Sequence, residues 1–277
     1  MKFLILTIFI AFANAEFEEI DPFLTSGTQA LFGEFPSAVL IRSPGTPMQP
    51  LCGGTIIDNR HVLTSAQCVL NSQNQLINAF WYTIIAGDLN IVRATNRRQT
   101  RSVDRIFVHP NFNPITRNND LAVLRLTVPF PDFHNSIEPA ILNNQIIPTG
   151  TACRLVAWGA STNAFNAPIQ PEQRTINAPI IDTPACNAAN VHANRVLGVH
   201  ICAGSIPATT PQTGACTGNI GSGLYCNERL AGVLSFGQSC GAANQPGVYI
   251  NVNLYRDWIN SQLLRTDTPQ PGWTPTP

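Results

Sequence analysis

Serine-dependent acyl transfer needs three groups at one point: a hydroxyl that attacks, an imidazole that takes its proton, and a carboxylate that orients the imidazole. The glycine-rich stretch Cys216-Thr-Gly-Asn-Ile-Gly-Ser-Gly-Leu-Tyr-Cys226 holds one serine, Ser222, a weak nucleophile unless a base is positioned beside it. A carboxylate stands at Asp120, just before the apolar run Leu121 to Leu126. The proton acceptor is the difficulty, because none of the five histidines, His61, His109, His134, His192 and His200, is placed by its neighbours to activate Ser222. These histidines also lack metal-ligand spacing, and there is no Cys-x-x-Cys pair, so neither a metal nor a cofactor is expected. A different chemistry is suggested by Arg93, Arg97, Arg98, Arg101 and Arg105, five guanidiniums within 13 positions offset only by Asp104. Such local density suits an acidic partner, although charge runs are commonly no more than solvated faces.

These residues must be held by a β scaffold. Short runs rich in β-branched and aromatic residues recur between turn-forming clusters: Val39 to Arg42, Gly54 to Ile57, His61 to Ser65, Trp81 to Ala86, Leu121 to Leu126, Arg154 to Trp158, Leu230 to Phe236 and Gly247 to Val252. That spacing signals an all-β barrel or sandwich. Only Tyr255, Trp258, Ile259 and Leu263 repeat with helical period, predicting one amphipathic helix that closes the domain. The Pro- and Thr-rich stretch 265–277 reads as an extended tail.

The first 15 residues, with Lys2, the apolar run Phe3 to Phe12 and Ala13-Asn14-Ala15, read as a cleaved secretory signal, followed by a short acidic segment over 16–23. Export makes the eight cysteines candidates for disulfides. About 260 residues remain, enough for one large all-β domain or two fused barrels. Lys2 is the only lysine, so the mature chain opposes 15 arginines to 16 carboxylates and offers no global attraction to nucleic acid. No later stretch is long and apolar enough for a membrane span.

From about Leu24 to Leu264 the chain resembles the chymotrypsin-like serine protease family. The resemblance rests on an ordered series: Gly33-Glu34-Phe35-Pro36, Cys52-Gly-Gly-Thr-Ile-Ile57, His61-Val-Leu-Thr64, His109-Pro110, Asn118 to Leu126, Ala157-Trp158-Gly159, Cys202-Ala-Gly204, Leu234-Ser-Phe-Gly237 and Pro246-Gly-Val-Tyr249. It implies two six-stranded antiparallel barrels with a site in the cleft between them, and a C-terminal helix. It also implies the bridges Cys52 with Cys68, Cys153 with Cys226, Cys186 with Cys202, and Cys216 with Cys240, a choice that spacing alone leaves open.

The same resemblance places the reacting groups, and two of them are exchanged. Thr64-Ser65-Ala66-Gln67-Cys68 puts an amide at Gln67 where the family has its general base, and Ile220 stands at the nucleophile position, while Asp120 is retained. An amide cannot take a proton near neutral pH and a hydrocarbon cannot attack. The buried aspartate that anchors the activated amino terminus is replaced by Asn219, and no Arg or Lys lies between Lys2 and Arg42 to be cut by a trypsin-like activator. Gly214 would be the floor of the specificity pocket, Gly237 and Gly247 its walls and Ser235 its entrance. The arginine-rich stretch would include a surface loop that binds calcium or anions in some relatives; with so few oxygen ligands here, an anion suits it better. The resulting expectation is a secreted, inactive serine protease homologue that binds a protein or other macromolecule. The alternatives are a weakly active or unconventional hydrolase and a bulk secreted venom, salivary or storage component.

Overall fold

Residues 27–43, 52–131, 136–159, 171–204, 206, 219–237 and 246–267 are described by the computed structural model. The signal segment, the acidic segment 16–23 and most of the tail lie outside them.

After the short β1 (Thr28–Gln29), six strands form the first half: β2 (Ala38–Arg42), β3 (Cys52–Ile56), β4 (His61–Thr64), β5 (Thr83–Ala86), β6 (Gln99–Val108) and β7 (Ala122–Leu126). They close into a barrel in the order β2-β3-β4-β7-β6-β5. The side-chain period of two explains why several of them read as continuous apolar runs. Val39, Ile41, Val62, Ile84, Ala122, Leu124 and Leu126 fill the barrel interior. Their neighbours Leu40, Leu63, Ile85 and Val123 point the other way, into a second core shared with Val156, Tyr225, Val233 and Ile250. Both faces are therefore buried. At the β3–β4 turn, Asp58 Oδ1 accepts the N–H groups of Arg60 and His61, each at 2.7 Å, and the Asp58 carboxylate also holds the His61 imidazole. His61 is thus a structural residue of a hairpin.

The second half contains β8 (Cys153–Ala157), β9 (Arg174–Asn177), β10 (Ile180–Ile181), the short α1 (Thr183–Cys186), β11 (His200–Ala203), β12 (Gly223–Cys226), β13 (Arg229–Phe236), β14 (Gly247–Asn251) and then α2 (Arg256–Leu263). Its strands form one eight-stranded sheet, ordered β1-β9-β8-β12-β13-β14-β11-β10. The closed six-stranded barrel, this second sheet and the C-terminal helix agree with the architecture that the resemblance implies. The ladder of the second sheet breaks between β9, which pairs with β8, and β10, which pairs with β11. Two residues separate them, and Pro179 has no N–H to give to a ladder. Its carbonyl instead accepts the Gly204 N–H at 3.0 Å. In the closing helix Ile259 is fully buried, and Tyr255, Trp258 and Leu263 pack on the shared core, as their spacing predicts.

Three of the expected bridges are formed, Cys52–Cys68, Cys153–Cys226 and Cys186–Cys202. Cys216 and Cys240 lie outside the described residues. Within the arginine-rich stretch, Arg101 and Arg105 belong to β6, the longest described strand. At the start of the Pro- and Thr-rich stretch, Arg125 donates to the carbonyls of Arg265 and Asp267 at 3.4 and 2.9 Å, and Arg105 lies 3.5 Å from the Asp267 carboxylate. No described helix is long and apolar enough to cross a membrane.

Candidate functional site

The two halves meet at Asp120, which is completely buried. The turn that delivers it is set by Asn119, with φ at 54°, in the left-handed region that asparagine tolerates better than most residues. Its amide is held from both ends, donating to the Asn111 carbonyl at 2.8 Å and accepting the Tyr255 hydroxyl at 2.7 Å. Four donors converge on the Asp120 carboxylate. Oδ1 accepts the Ser65 hydroxyl at 2.7 Å and the Gln67 N–H at 3.0 Å; Oδ2 accepts Gln67 Nε2 and the Ser235 hydroxyl, both at 2.5 Å. Burial pushes the carboxyl above its ordinary range, and the four hydrogen bonds oppose that rise.

Gln67 also donates from Nε2 to the Ser235 carbonyl at 2.7 Å. One side-chain nitrogen, carried on the short 3-10 turn Ala66–Val69, thereby joins the first barrel to β13 of the second sheet. Ser65 is a site residue that sequence reasoning left unremarked, although it stands two positions before Gln67. Ser235, expected at a pocket entrance, is buried and gives its hydroxyl to Asp120.

Ile220 is placed close by. Its carbonyl accepts the Gly53 N–H at 2.7 Å, and the next N–H, that of Gly221, donates to Leu234 at 2.9 Å. Gly221 has φ at 80°, and a Cβ there would lie 2.2 Å from Thr64 Oγ1 and 2.4 Å from the Gly53 carbonyl, so glycine is required for the approach. Ser222 is only 2% exposed and packs so tightly on Gly53 that a Cβ on that glycine would meet Ser222 Oγ at 2.0 Å. Its hydroxyl therefore lies against the β3 backbone at Gly53. Asn219 is buried against Gly159, and its Oδ1 has no hydrogen-bond donor among the described residues. Gly237 and Gly247 lie against each other: a Cβ on Gly237 would be 3.2 Å from the Gly247 Cα. Gly214, the expected pocket floor, lies outside the described residues, as does His134.

The other histidines are committed elsewhere. His200 Nδ1 accepts the Leu197 N–H at 3.0 Å, which assigns Nε2 as donor to the Arg117 carbonyl at 3.2 Å. His192 meets the Pro246 carbonyl at 2.9 Å. His109 packs edge-on to Tyr255 with ring centres 5.3 Å apart. Burial lowers the proton affinity of all three. No described histidine is among the Asp120 donors.

The five arginines do not converge either. Arg98 Nε donates to Asp88 Oδ2 at 2.6 Å and its Nη2 to the Asn90 carbonyl at 2.6 Å, with Thr95 completing the Asp88 shell through its N–H and hydroxyl. Burial would raise the Asp88 carboxyl, but the bonds from Thr95 and Arg98 hold it below the ordinary range. The loop thus supplies its own cation. Arg101 lies over the Phe130 ring at 5.1 Å and donates to the Pro129 carbonyl at 3.3 Å, and Arg105 joins Asp267. Arg93 and Arg97 remain exposed, Arg97 over the Phe32 ring at 4.4 Å.

Comparison with known proteins agrees with this architecture. A family model described as Trypsin matches residues 24–259. The chain is 30% identical over 258 residues to Tryptase of Mus musculus, covering 86% of this chain and 87% of that protein. It is 31% identical over 258 residues to Serine protease 56 of Homo sapiens, with 90% of this chain and 40% of the relative covered. Serine protease filzig of Drosophila melanogaster is 30% identical over 250 residues, covering 86% of this chain and 14% of that protein. The chain therefore spans less than half the length of the latter two relatives and most of the first.

Proposed function

The chain belongs to the trypsin family, and from the groups gathered around Asp120 we propose that it is a secreted, non-catalytic member that acts by binding macromolecules, as a cofactor, decoy or regulator of active proteases. The observation that carries this reading is the Gln67 amide, whose nitrogen donates to both Asp120 Oδ2 and the Ser235 carbonyl. An imidazole on Asp120 would keep a second nitrogen free to take a proton, whereas this amide has no basic nitrogen and spends its donors on structure. Ile220 supplies no nucleophile, and the burial of Ser222 argues against that hydroxyl as its substitute. Loss of such groups costs on the order of a millionfold in turnover in a comparable site.

The scaffold outside this cluster keeps its staples and its paired strands, so loops on its surface are free to recognise partners independently of the cleft. The acidic-partner contact proposed for the arginine-rich stretch narrows to Arg93 and Arg97, because Arg98, Arg101 and Arg105 already have partners within the fold.

The test is labelling by a serine-directed fluorophosphonate, together with turnover of a broad peptide panel, on chain recovered from the medium of secreting cells. The expected result is neither labelling nor turnover, with a mature amino terminus at Glu16. Ile220→Ser alone should stay inert for want of a base. Labelling that disappears in Ser222→Ala would overturn the reading in favour of an unconventional hydrolase.

A further inference from the structure

Away from the Asp120 cluster, and sharing no residue with it, a groove of about 960 Å³ runs between the segment 34–37, the inter-barrel connection 138–141, and the β8 and β12–β13 rim of the second sheet. Its floor is apolar, with Phe35 packed on Tyr225 at 5.4 Å between ring centres, and Ile141 is left 59% exposed beside them. Its charge is one-sided. Three carboxylates, Glu34, Glu138 and Glu228, face one guanidinium, that of Arg154. Arg154 is already engaged, paired with Glu34 and lying 4.7 Å over the Phe35 ring. Glu138 and Glu228 are exposed and make no ion pair among the described residues.

The placing of Glu228 is the more telling of the two. Cys226 pairs with Arg229, so Asn227 and Glu228 form a two-residue hairpin turn, and both have positive φ, 48° and 61°. That turn favours glycine at its second position. A carboxylate is held there instead, on a two-residue turn that lines the groove.

We infer that this groove docks an extended, basic segment of a partner protein, with arginine or lysine at Glu138 and Glu228 and an aliphatic side chain on Ile141 and Tyr225. Charge complementarity chooses the occupant. The chain's own segment 16–23 carries Glu16, Glu18, Glu19 and Asp21, and would bring four like charges to an acidic rim. The inference does not depend on whether the cleft is inactive, because the groove and the cleft have no residue in common.

Fluorescence anisotropy of the full secreted chain with three labelled peptides tests it: one alternating arginine with valine, one with glutamate for the arginines, and one with glutamine. The arginine peptide should bind and the glutamate peptide should not. Its affinity should fall by about tenfold between 20 and 300 mM salt, as exposed charges are screened beyond a Debye length of about 10 Å. Glu138→Gln with Glu228→Gln should weaken binding by about five- to tenfold, as expected for two surface pairs, while Asp257→Asn should change nothing. Ile141→Ser should weaken all binding without altering the salt slope. Equal binding of the glutamate peptide, or binding unchanged in the double variant, would overturn the inference. So would tighter peptide binding on deletion of 16–23, which would make that segment the occupant, or self-association abolished by the double variant, which would make it a second copy.

Discussion

Replacing Gln67 by alanine should destabilise the fold although the position is partly exposed. The substitution removes the 2.5 Å bond to Asp120 Oδ2 and the 2.7 Å bond to the Ser235 carbonyl, leaving the Gln67 N–H and the Ser65 and Ser235 hydroxyls on a fully buried carboxylate. A hydrogen bond to a charged acceptor contributes about 1.5 to 3 kcal/mol, and water can reach the vacated edge, so a loss of about 2 kcal/mol is expected. For a domain of this size that lowers Tm by about 5 °C. Gln67→His keeps a ring N–H for Asp120 and should cost less than about 1 kcal/mol. The pH dependence separates lost hydrogen bonding from lost packing. Burial already raises the Asp120 carboxyl, and removing a donor raises it further, because the donor favours the charged form. A folded-state value above the unfolded one means stability lost as pH rises through it, so the alanine penalty should be largest at pH 8 and shrink on acidification. Urea unfolding at pH 5 and pH 8 measures this. A penalty below about 0.5 kcal/mol at pH 8, or one independent of pH, would refute the view that Gln67 holds Asp120.

Gly159→Ala should cost about 2 kcal/mol or more, since its Cβ would lie 2.1 Å from Asn219 Oδ1 and 2.7 Å from its Cγ, and adding Asn219→Ala should recover most of the loss in thermal unfolding. Arg98→Gln should destabilise by about 2 kcal/mol at neutral pH by uncovering the buried Asp88, whereas Arg93→Gln and Arg97→Gln should be within about 0.5 kcal/mol of the parent. Asp88 has a lowered carboxyl, so its contribution is present above the ordinary carboxylate range and lost as pH falls below it; Arg98→Gln should flatten the acid limb of the stability profile. Peptide mapping without reductant should recover Cys52–Cys68, Cys153–Cys226 and Cys186–Cys202, with Cys216 and Cys240 joined as the resemblance implies, and removal of any one bridge should cost about 2 to 4 kcal/mol.

Strands with a regular apolar pattern were legible from residue order alone. Val39 to Arg42, His61 to Ser65 and Leu121 to Leu126 announce themselves because both of their faces are buried, one in the barrel and one between the two halves, so nearly every position is apolar. The same logic hid β6. Its outward face carries Arg101 and Arg105, whose guanidiniums lie over the rings of Phe130 and Phe107, and a long charged side chain covering apolar surface is indistinguishable in sequence from one in solvent. The resemblance also singled out Gln67, Asn219 and Ile220, which depart from a pattern that their neighbours keep. What they do instead was not legible. Gln67 reaches Asp120 across 53 positions and Ser235 across 168, and only the packing of one barrel against the other sheet makes those distances hydrogen bonds. Charge followed the same division: the arginine cluster is a property of composition, but Asp88, the Phe130 ring and Asp267 decide which guanidiniums remain for a partner, because pairing depends on what folding brings within a few ångströms.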